Sequence, residues 1–541
     1  MLEQRLFVNG RFLTEPSNQT PGSSPTALLS HGEEIIALGT SEELRAHTVG
    51  AIETIDLAGA TVIPGLTDAH IHTANLAREL AAVDLRGAKD LEEALERIRT
   101  FAQPLPHDAW IFGGRWDFNA WTVPIQPTRQ ALDSVTGGRP AALPSVDGHT
   151  VWANTAALRA VGITAASCDP VGGEIERDAS GEPTGILREA AHGPLEAIMH
   201  SSAAGDLTQQ LKTAQDFLLS VGLTGIHDFD GEDCLAAYRT LEAAGDLQLR
   251  VHKAIPAVAL DLAIAERRFT GAGTPWLRTG PVKLFSDGAL GSHTCHVSEP
   301  FPGEDGNVGI AVTPFEELLR LVRRAASAGI AVATHAIGDR ANHLVLNAYE
   351  DLTNHPVSAT RQGAGAQPLR HRIEHTQHLL PGDVSRLARL GVIPSMQPTH
   401  CTSDYRLVTN LLADRKLASY AWRSLIDAGA IPAFGSDSPV EQPHPLHGIH
   451  AAVTRQDSNH LPQGGWQPSE RVTVQEAIAG FTSGAAHASG EERLKGRLKA
   501  GMLADFTVLG EDPCRVSSSD IRDIPVEATV VGGRVRYRKS A

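Results

Sequence analysis

The sequence predicts an α/β protein: a (β/α)8 TIM-like barrel, with a small β-sandwich formed by both chain ends and a large insert after the first barrel strand. Three observations predict it. Short apolar runs ending in a polar or charged residue recur along the chain, separated by helix-like amphipathic stretches and glycines. β-rich segments lie at both ends. A long irregular stretch separates the first apolar run from the rest.

In chain order, residues 6–13 (L-F-V-N-G-R-F-L) read as two short strands around Asn9-Gly10, a hairpin signal. Strand-like stretches follow at 35–38 and 52–57. The C-terminus repeats the character at 504–509 and 529–537, the latter with a Gly-Gly turn. Isolated hairpins are marginal in water, so the two ends are expected to build one composite sandwich from residues 1–60 and 490–541.

Residues 61–73 (T-V-I-P-G-L-T-D-A-H-I-H-T) open the barrel. Residues two apart on a strand share a face, so His70 and His72 are expected to look out together, as two ligands of one ion must. An edge strand with two polar residues on its wet face would read the same way.

Residues 86–206 are too long for a barrel loop and form the insert, expected to cover the active site. Trp116, Phe118, Trp121 and Trp152 there are either pocket walls or subdomain core. His149 is a substrate-contact candidate or a surface histidine.

The barrel, residues 61–85 and 207–489, takes its remaining strands from 225–228, 249–254, 282–287, 330–335, 369–375, 392–397 and 431–437. Such barrels carry their chemistry at the carboxyl ends of the strands. There stands Lys283, whose ammonium within an apolar strand is costly unless paired or chemically altered. It is either salt-bridged to a neighbouring strand or converted to a carbamate whose two oxygens bridge two ions. His335 and His375 each close a short apolar strand. Asp437, in G-S-D-S-P-V, either caps a turn or acts in the same ring. Together the five strand ends bring three histidine positions, a lysine and an aspartate to one barrel face.

Composition narrows the classes. The 541 residues carry a formal net charge of −16, which disfavours nucleic acid or an anionic membrane as partner. Five scattered cysteines without C-x-x-C spacing argue against a disulfide framework and a thiolate metal site. The start, M-L-E-Q-R-L-F-V-N-G-R, lacks a basic segment followed by an apolar core, and no uncharged run would span a bilayer, so a cytoplasmic protein is expected. A small molecule is the expected partner. Quaternary state stays open, a homodimer being the assembly considered.

The ordered blocks V-I-P-G-L-T-D-A-H-I-H, G-R-W-D, D-G-H-T-V-W-A-N, V-K-L-F-S-D-G-A-L-G-S, H-A-I-G-D-R-A, R-I-E-H-T-Q, G-S-D-S-P-V and L-K-A-G-M-L-A-D-F-T-V-L resemble the amidohydrolase superfamily. Within it they resemble the large-insert branch, amidohydrolase family 3 (YtcJ-like), which includes N-substituted formamide deformylase. The resemblance implies a metal-dependent hydrolase of carbon–nitrogen bonds other than peptide bonds, acting on an amide or an N-formyl or N-acyl amine through metal-bound hydroxide. It implies that His70 and His72 bind one metal and His335 and His375 the other. Carboxylated Lys283 would bridge them, and Asp437 would bind the first metal and carry protons. Nitrogen and oxygen ligands suit two Zn2+, with iron, manganese or nickel open, and with one ion if Lys283 is unmodified. Asp287 and His293 join Trp116 and His149 as substrate-contact candidates. His293 stands where relatives often carry arginine, so no anion-binding role is carried over to it. The alternatives are a one-metal deaminase, an esterase or lactonase on the same scaffold, and a non-catalytic binding protein.

Overall fold

The computed structural model describes residues 4–14, 25–48, 52–145, 149–203, 206–356, 368–412 and 414–540. The chain forms two compact units, Met1–Thr73 with Gln215–Ala541, and Ala74–Ala214.

The first unit holds the barrel. Its strands are β1 (Leu66–Ile71), β2 (Leu223–Asp228), β3 (Arg250–Pro256), β4 (Leu277–Phe285), β5 (Val332–Ala336), β6 (Arg372–His375), β7 (Ile393–Met396) and β8 (Ala433–Phe434). They hydrogen-bond in that order, all parallel. A parallel bridge from Ile71 to Ser438 closes the ring between β1 and the segment after β8. Every residue of β1 and β2 is buried, as expected for strands covered on both faces. Each of β2–β8 runs into a helix. Phe315–Ser327, after β4, shows why: Leu318, Val322, Ala325 and Ala326 recur at helical spacing and are buried, with Glu316 and Glu317 in the first turn and Arg324 in the last.

Two details differ from the sequence reading. The opening run is two strands rather than one. Thr61–Pro64 belongs to a five-stranded sheet, and only Leu66–Ile71 enters the barrel. The break is Gly65, where a Cβ would lie 2.3 Å from Thr224 Oγ1, so no larger residue fits the step. Asn9-Gly10 does not join a hairpin. Gln4–Val8 pairs with Ala27–His31 and Ile52–Asp56, whereas Arg11–Phe12 pairs with Thr61–Val62 in the other sheet. Asn9, with φ 54°, turns the chain from one sheet to the next.

Those two sheets form the sandwich. One has the order Glu34–Gly39, Ala27–His31, Gln4–Val8, Ile52–Asp56. The other has Arg11–Phe12, Thr61–Pro64, Phe506–Leu509, Val526–Val531, Arg534–Arg538. Its final pair is a hairpin around Gly532-Gly533. Phe7, Phe12, Leu28, Val62, Phe506 and Val530 fill the space between the sheets, Phe7 meeting Phe506 edge-on at 4.9 Å.

The second unit has its own antiparallel sheet, in the order Ala142–Pro144, Thr150–Ala153, Pro183–Glu189, Gly173–Arg177, with helices Leu91–Ala102, Arg129–Thr136 and Thr155–Ala160. Trp116, Trp121 and Trp152 are buried in its core. Among the described residues no helix is long and apolar enough to cross a membrane.

Candidate metal centre

The five strand ends named from the sequence meet at one place. His70 closes β1 and His72 stands just past it. Lys283 lies on β4, His335 on β5, and His375 ends β6. Asp437 lies three residues past β8. The Nε2 atoms of His70 and His72 both lie 3.5 Å from Asp437 Oδ1. Ring centroids of His70 and His375 are 5.0 Å apart, and those of His335 and His375 4.5 Å. Ligand-type atoms of His70, His375 and Asp437 fall within 4.8 Å of one another.

Local backbone geometry produces this convergence. Asp437 N–H donates to the His70 carbonyl at 2.7 Å, and His72 N–H to the Ser438 carbonyl at 2.9 Å, so β1 and the β8 turn are stitched together at the site. Gly435 allows the approach, since a Cβ there would lie 2.5 Å from the His70 nitrogen. Asp68 locks the same seam, accepting from the backbone N–H groups of His70 and Ser436. His375 (φ 73°) and Asp437 (φ 59°) sit in the left-handed region that non-glycine residues rarely adopt. Such conformations persist only where their surroundings fix them, and they cluster at functional sites.

Each imidazole is oriented by a partner on its other nitrogen. His70 Nδ1 donates to Glu374 Oε2 at 2.6 Å, while the ring stacks on Phe229 at 4.2 Å. His72 Nδ1 donates to Asp230 at 3.1 Å, and His375 Nδ1 to Gln397 Oε1 at 2.8 Å. His335 differs, giving Nε2 to the Gly288 carbonyl at 3.1 Å. A ring that donates through one nitrogen presents a lone pair on the other. Burial favours this neutral form: it pushes His70 and His375 well below the usual histidine range and His335 to about 4. Burial alone would lower His72 as well, but the Asp230 carboxylate outweighs it and the value is raised. Several neutral, pre-aimed imidazoles beside a carboxylate, with no thiolate, form a donor set that fits a borderline divalent cation.

Lys283 is buried. Its Nζ lies 3.3 Å from His70 Nε2 and 4.7 Å from the Phe229 ring centre. Among the described residues it forms no ion pair within 4 Å, so the plain salt bridge to a neighbouring strand is not made. Burial lowers its pKa to about 8.

Beneath the site runs a charged layer that the sequence reading missed. Arg372 is wholly buried and donates to Glu374 Oε1 at 2.8 Å, to Ser395 Oγ and to the Ala69 carbonyl. Asp228 accepts from the Thr73 N–H and pairs with Lys253 at 3.0 Å. The grouping of Asp228, Asp230 and Cys234 is therefore internally satisfied, with Asp230 turned to His72. Glu374 and Gln397 were visible as polar residues two apart from, or adjacent to, apolar strand positions. Their partners lie hundreds or tens of residues away, and spacing alone does not reveal them.

The remaining candidates have other partners as well, although Asp287 Oδ1 lies 3.6 Å from His335 Nε2. Asp287 spends its carboxylate on the backbone N–H groups of His296, Ile337 and Gly338, tying the loop after β4 to that after β5, with burial raising its pKa to about 7. These bonds give Asp287 a loop-fastening role beside His335. His293 pairs with Glu304 and stacks on Phe301 at 5.0 Å, holding its own loop. Trp116 is core rather than pocket wall: it is 2% exposed and donates its indole N–H to the Leu143 carbonyl at 2.7 Å. His149 is exposed beside Glu189. Asp147 and Gly148 of its motif lie outside the described residues.

Residues 53–537 match the family described as "Amidohydrolase family". YtcJ of Bacillus subtilis (strain 168), whose name places it among the amidohydrolases, is 33% identical over 90% of this chain and 91% of its own. N-substituted formamide deformylase of Arthrobacter pascens is 31% identical, covering 96% of each chain. The crystal structure of an uncharacterized metal-dependent hydrolase from Pyrococcus furiosus superposes with a TM-score of 0.72 at 29% identity, over 95% of this chain and all of that one.

Proposed function

The chain belongs to the amidohydrolase family, as a metal-dependent hydrolase acting on carbon–nitrogen bonds other than peptide bonds, and on that premise we propose that its substrate is an amide or an N-formyl or N-acyl amine. His70, His72, His335 and His375 would hold the divalent metal, two zinc ions in this reading. Lys283, if carboxylated on Nζ, would add its carbamate oxygens to that donor set. The observation that carries the reading is the meeting of four imidazoles, a lysine without an ion-pair partner among the described residues, and Asp437 at the carboxyl ends of the barrel strands.

A divalent cation in this place would supply Lewis acidity, polarising the carbonyl and lowering the pKa of a water towards about 7. The protein's own groups do the rest. Asp437, within 3.5 Å of two imidazoles, takes the proton of the attacking water and delivers it to the departing nitrogen. Glu374, Asp230 and Gln397 keep three rings in their donor orientation. Lys283 needs its neutral amine to combine with carbon dioxide, and burial moves it towards that form.

The test is metal analysis of the purified protein together with a panel of N-formyl amines, N-acyl amines, lactams and esters. Amine release by zinc-containing protein is expected. A folded protein that holds no divalent metal, or that cleaves only esters, would overturn the reading.

A further inference from the structure

We propose that His400 is a substrate-contacting catalytic residue whose Nε2–H hydrogen-bonds the carbonyl oxygen of the bond being cleaved as negative charge builds on it. The proposal rests on the carbon–nitrogen hydrolase reading above and adds a protein donor to that site.

His400 belongs to Q-P-T-H, residues 397–400, where the chain leaves β7 and enters helix Pro398–Leu412. Its backbone N–H donates to the Gln397 carbonyl at 3.1 Å, within the turn that follows the carboxyl end of β7. The side chain is 9% exposed, and its Nε2 is buried without a hydrogen-bond partner among the described residues. That atom faces Asp437 Oδ2 at 3.9 Å, too far for a hydrogen bond. The ring lies nearly parallel to His375, at 15° and 6.0 Å.

A second unpaired group stands beside it. Gln397 holds His375 through Oε1, while its Nε2 is buried and has no partner. Buried polar atoms are almost always paired in native proteins, and an exception needs a reason. Thr399 Oγ1, between them, is unpaired as well, and three exceptions within four residues, with His400 3.9 Å from the proposed proton carrier, have a common reason: the ligand that completes them is the substrate. An N–H donor buried beside Asp437, with no partner among the described residues, calls for an acceptor from outside the protein. The site's developing charge is therefore the partner that suits it. A preorganised donor in a water-poor pocket favours an oxyanion over a neutral carbonyl, and this difference accelerates the step.

The experiment compares His400→Ala and His400→Gln with wild-type protein as purified with its metal. It measures metal content, calorimetric binding of methylphosphonate as a tetrahedral anion probe, and hydrolysis of the N-acyl and N-formyl panel. In His400→Ala, metal content and Tm should stay at wild-type values. Methylphosphonate binding should weaken roughly tenfold or more. The kcat should fall by about 10²- to 10³-fold with little change in KM. His400→Gln, which keeps an N–H donor, should recover much of the loss. Unchanged probe binding and kcat in His400→Ala would overturn the proposal, as would loss of metal in that variant, which would make His400 a ligand. If wild-type protein cleaves nothing on the panel while probe binding still depends on His400, the amide reading fails and the contact stands.

Discussion

His70 gives its Nδ1 proton to the Glu374 carboxylate at 2.6 Å, and neither side chain has any exposed surface. The same carboxylate is gripped by Arg372, so the proposed strand-one ligand is aimed by a strand-six ion pair. An ion pair this deep contributes little net stability over an apolar substitute. Its value lies in fixing which nitrogen of His70 faces the cluster and where that nitrogen points.

Glu374→Gln therefore has two separable expected effects. Metal affinity should fall about 10- to 100-fold, because His70 loses its charged orienting partner. Stability should drop by about 3 kcal/mol, because Arg372 is left buried without its carboxylate. Chelator competition reads the first and urea unfolding the second. Wild-type metal affinity in the folded variant would show that Glu374 serves the core alone.

Asp437→Asn keeps the size of the side chain and one oxygen ligand but removes the proton acceptor. Turnover should fall by about 10²- to 10⁴-fold with metal content near normal. Plasma mass spectrometry of the variant, alongside kcat on the amine-release panel, checks it. Full turnover would refute the proton-carrying role.

Lys283 should exist as a carbamate in the metal-loaded protein, giving a native mass one carbon dioxide per chain above the metal-loaded sequence mass. The neutral amine is the reactive form and its pKa is about 8, so uptake into apo protein should rise as pH increases through that value. In Lys283→Ala the added mass should vanish and the metal count fall from two to one. A wild-type mass without the increment, carrying a single ion, would favour a one-metal site.

The convergent residues were legible because each is a metal-binding or charged type in or just past a short barrel-strand segment, and barrel topology turns that serial order into a ring. Their supports were not. Glu374 and Gln397 look like ordinary strand polarity until His70 and His375 are brought beside them across the barrel. Asn9-Gly10 shows the limit of local signals. Its dipeptide favours a hairpin, yet Phe7 and Phe12 both enter the sandwich core from different sheets, and that burial decides where each strand pairs. Trp116 shows another limit, since an aromatic-rich block reads alike as a pocket wall or as a core, and only its packing tells them apart.

Acid sensitivity should trace in part to Glu491, far along the chain from the proposed ligands. This carboxylate pairs with Lys495 at 2.8 Å and with Arg278 at 3.0 Å, and all three side chains are largely or wholly buried. Burial alone would raise its pKa, but Lys495, His252 and Arg278 together hold it at about 2, against 4.5 for an ordinary glutamate. Above pH 4.5 both folded and unfolded chains carry the charge, and the pairing contributes in full. As pH falls from 4.5 towards 2, the unfolded chain takes up a proton that the native carboxylate refuses, so stability drains away with acid, by about 3 kcal/mol when complete. Glu491→Gln cannot titrate and leaves Lys495 without its partner. It should be less stable than wild type by about 3 kcal/mol at neutral pH. That gap should narrow as pH drops below 4.5, because only the wild-type chain is losing an interaction there. Urea midpoints for both proteins across this range measure it. A gap that stays constant with pH would mean that the carboxylate is already protonated in the native barrel or never paired.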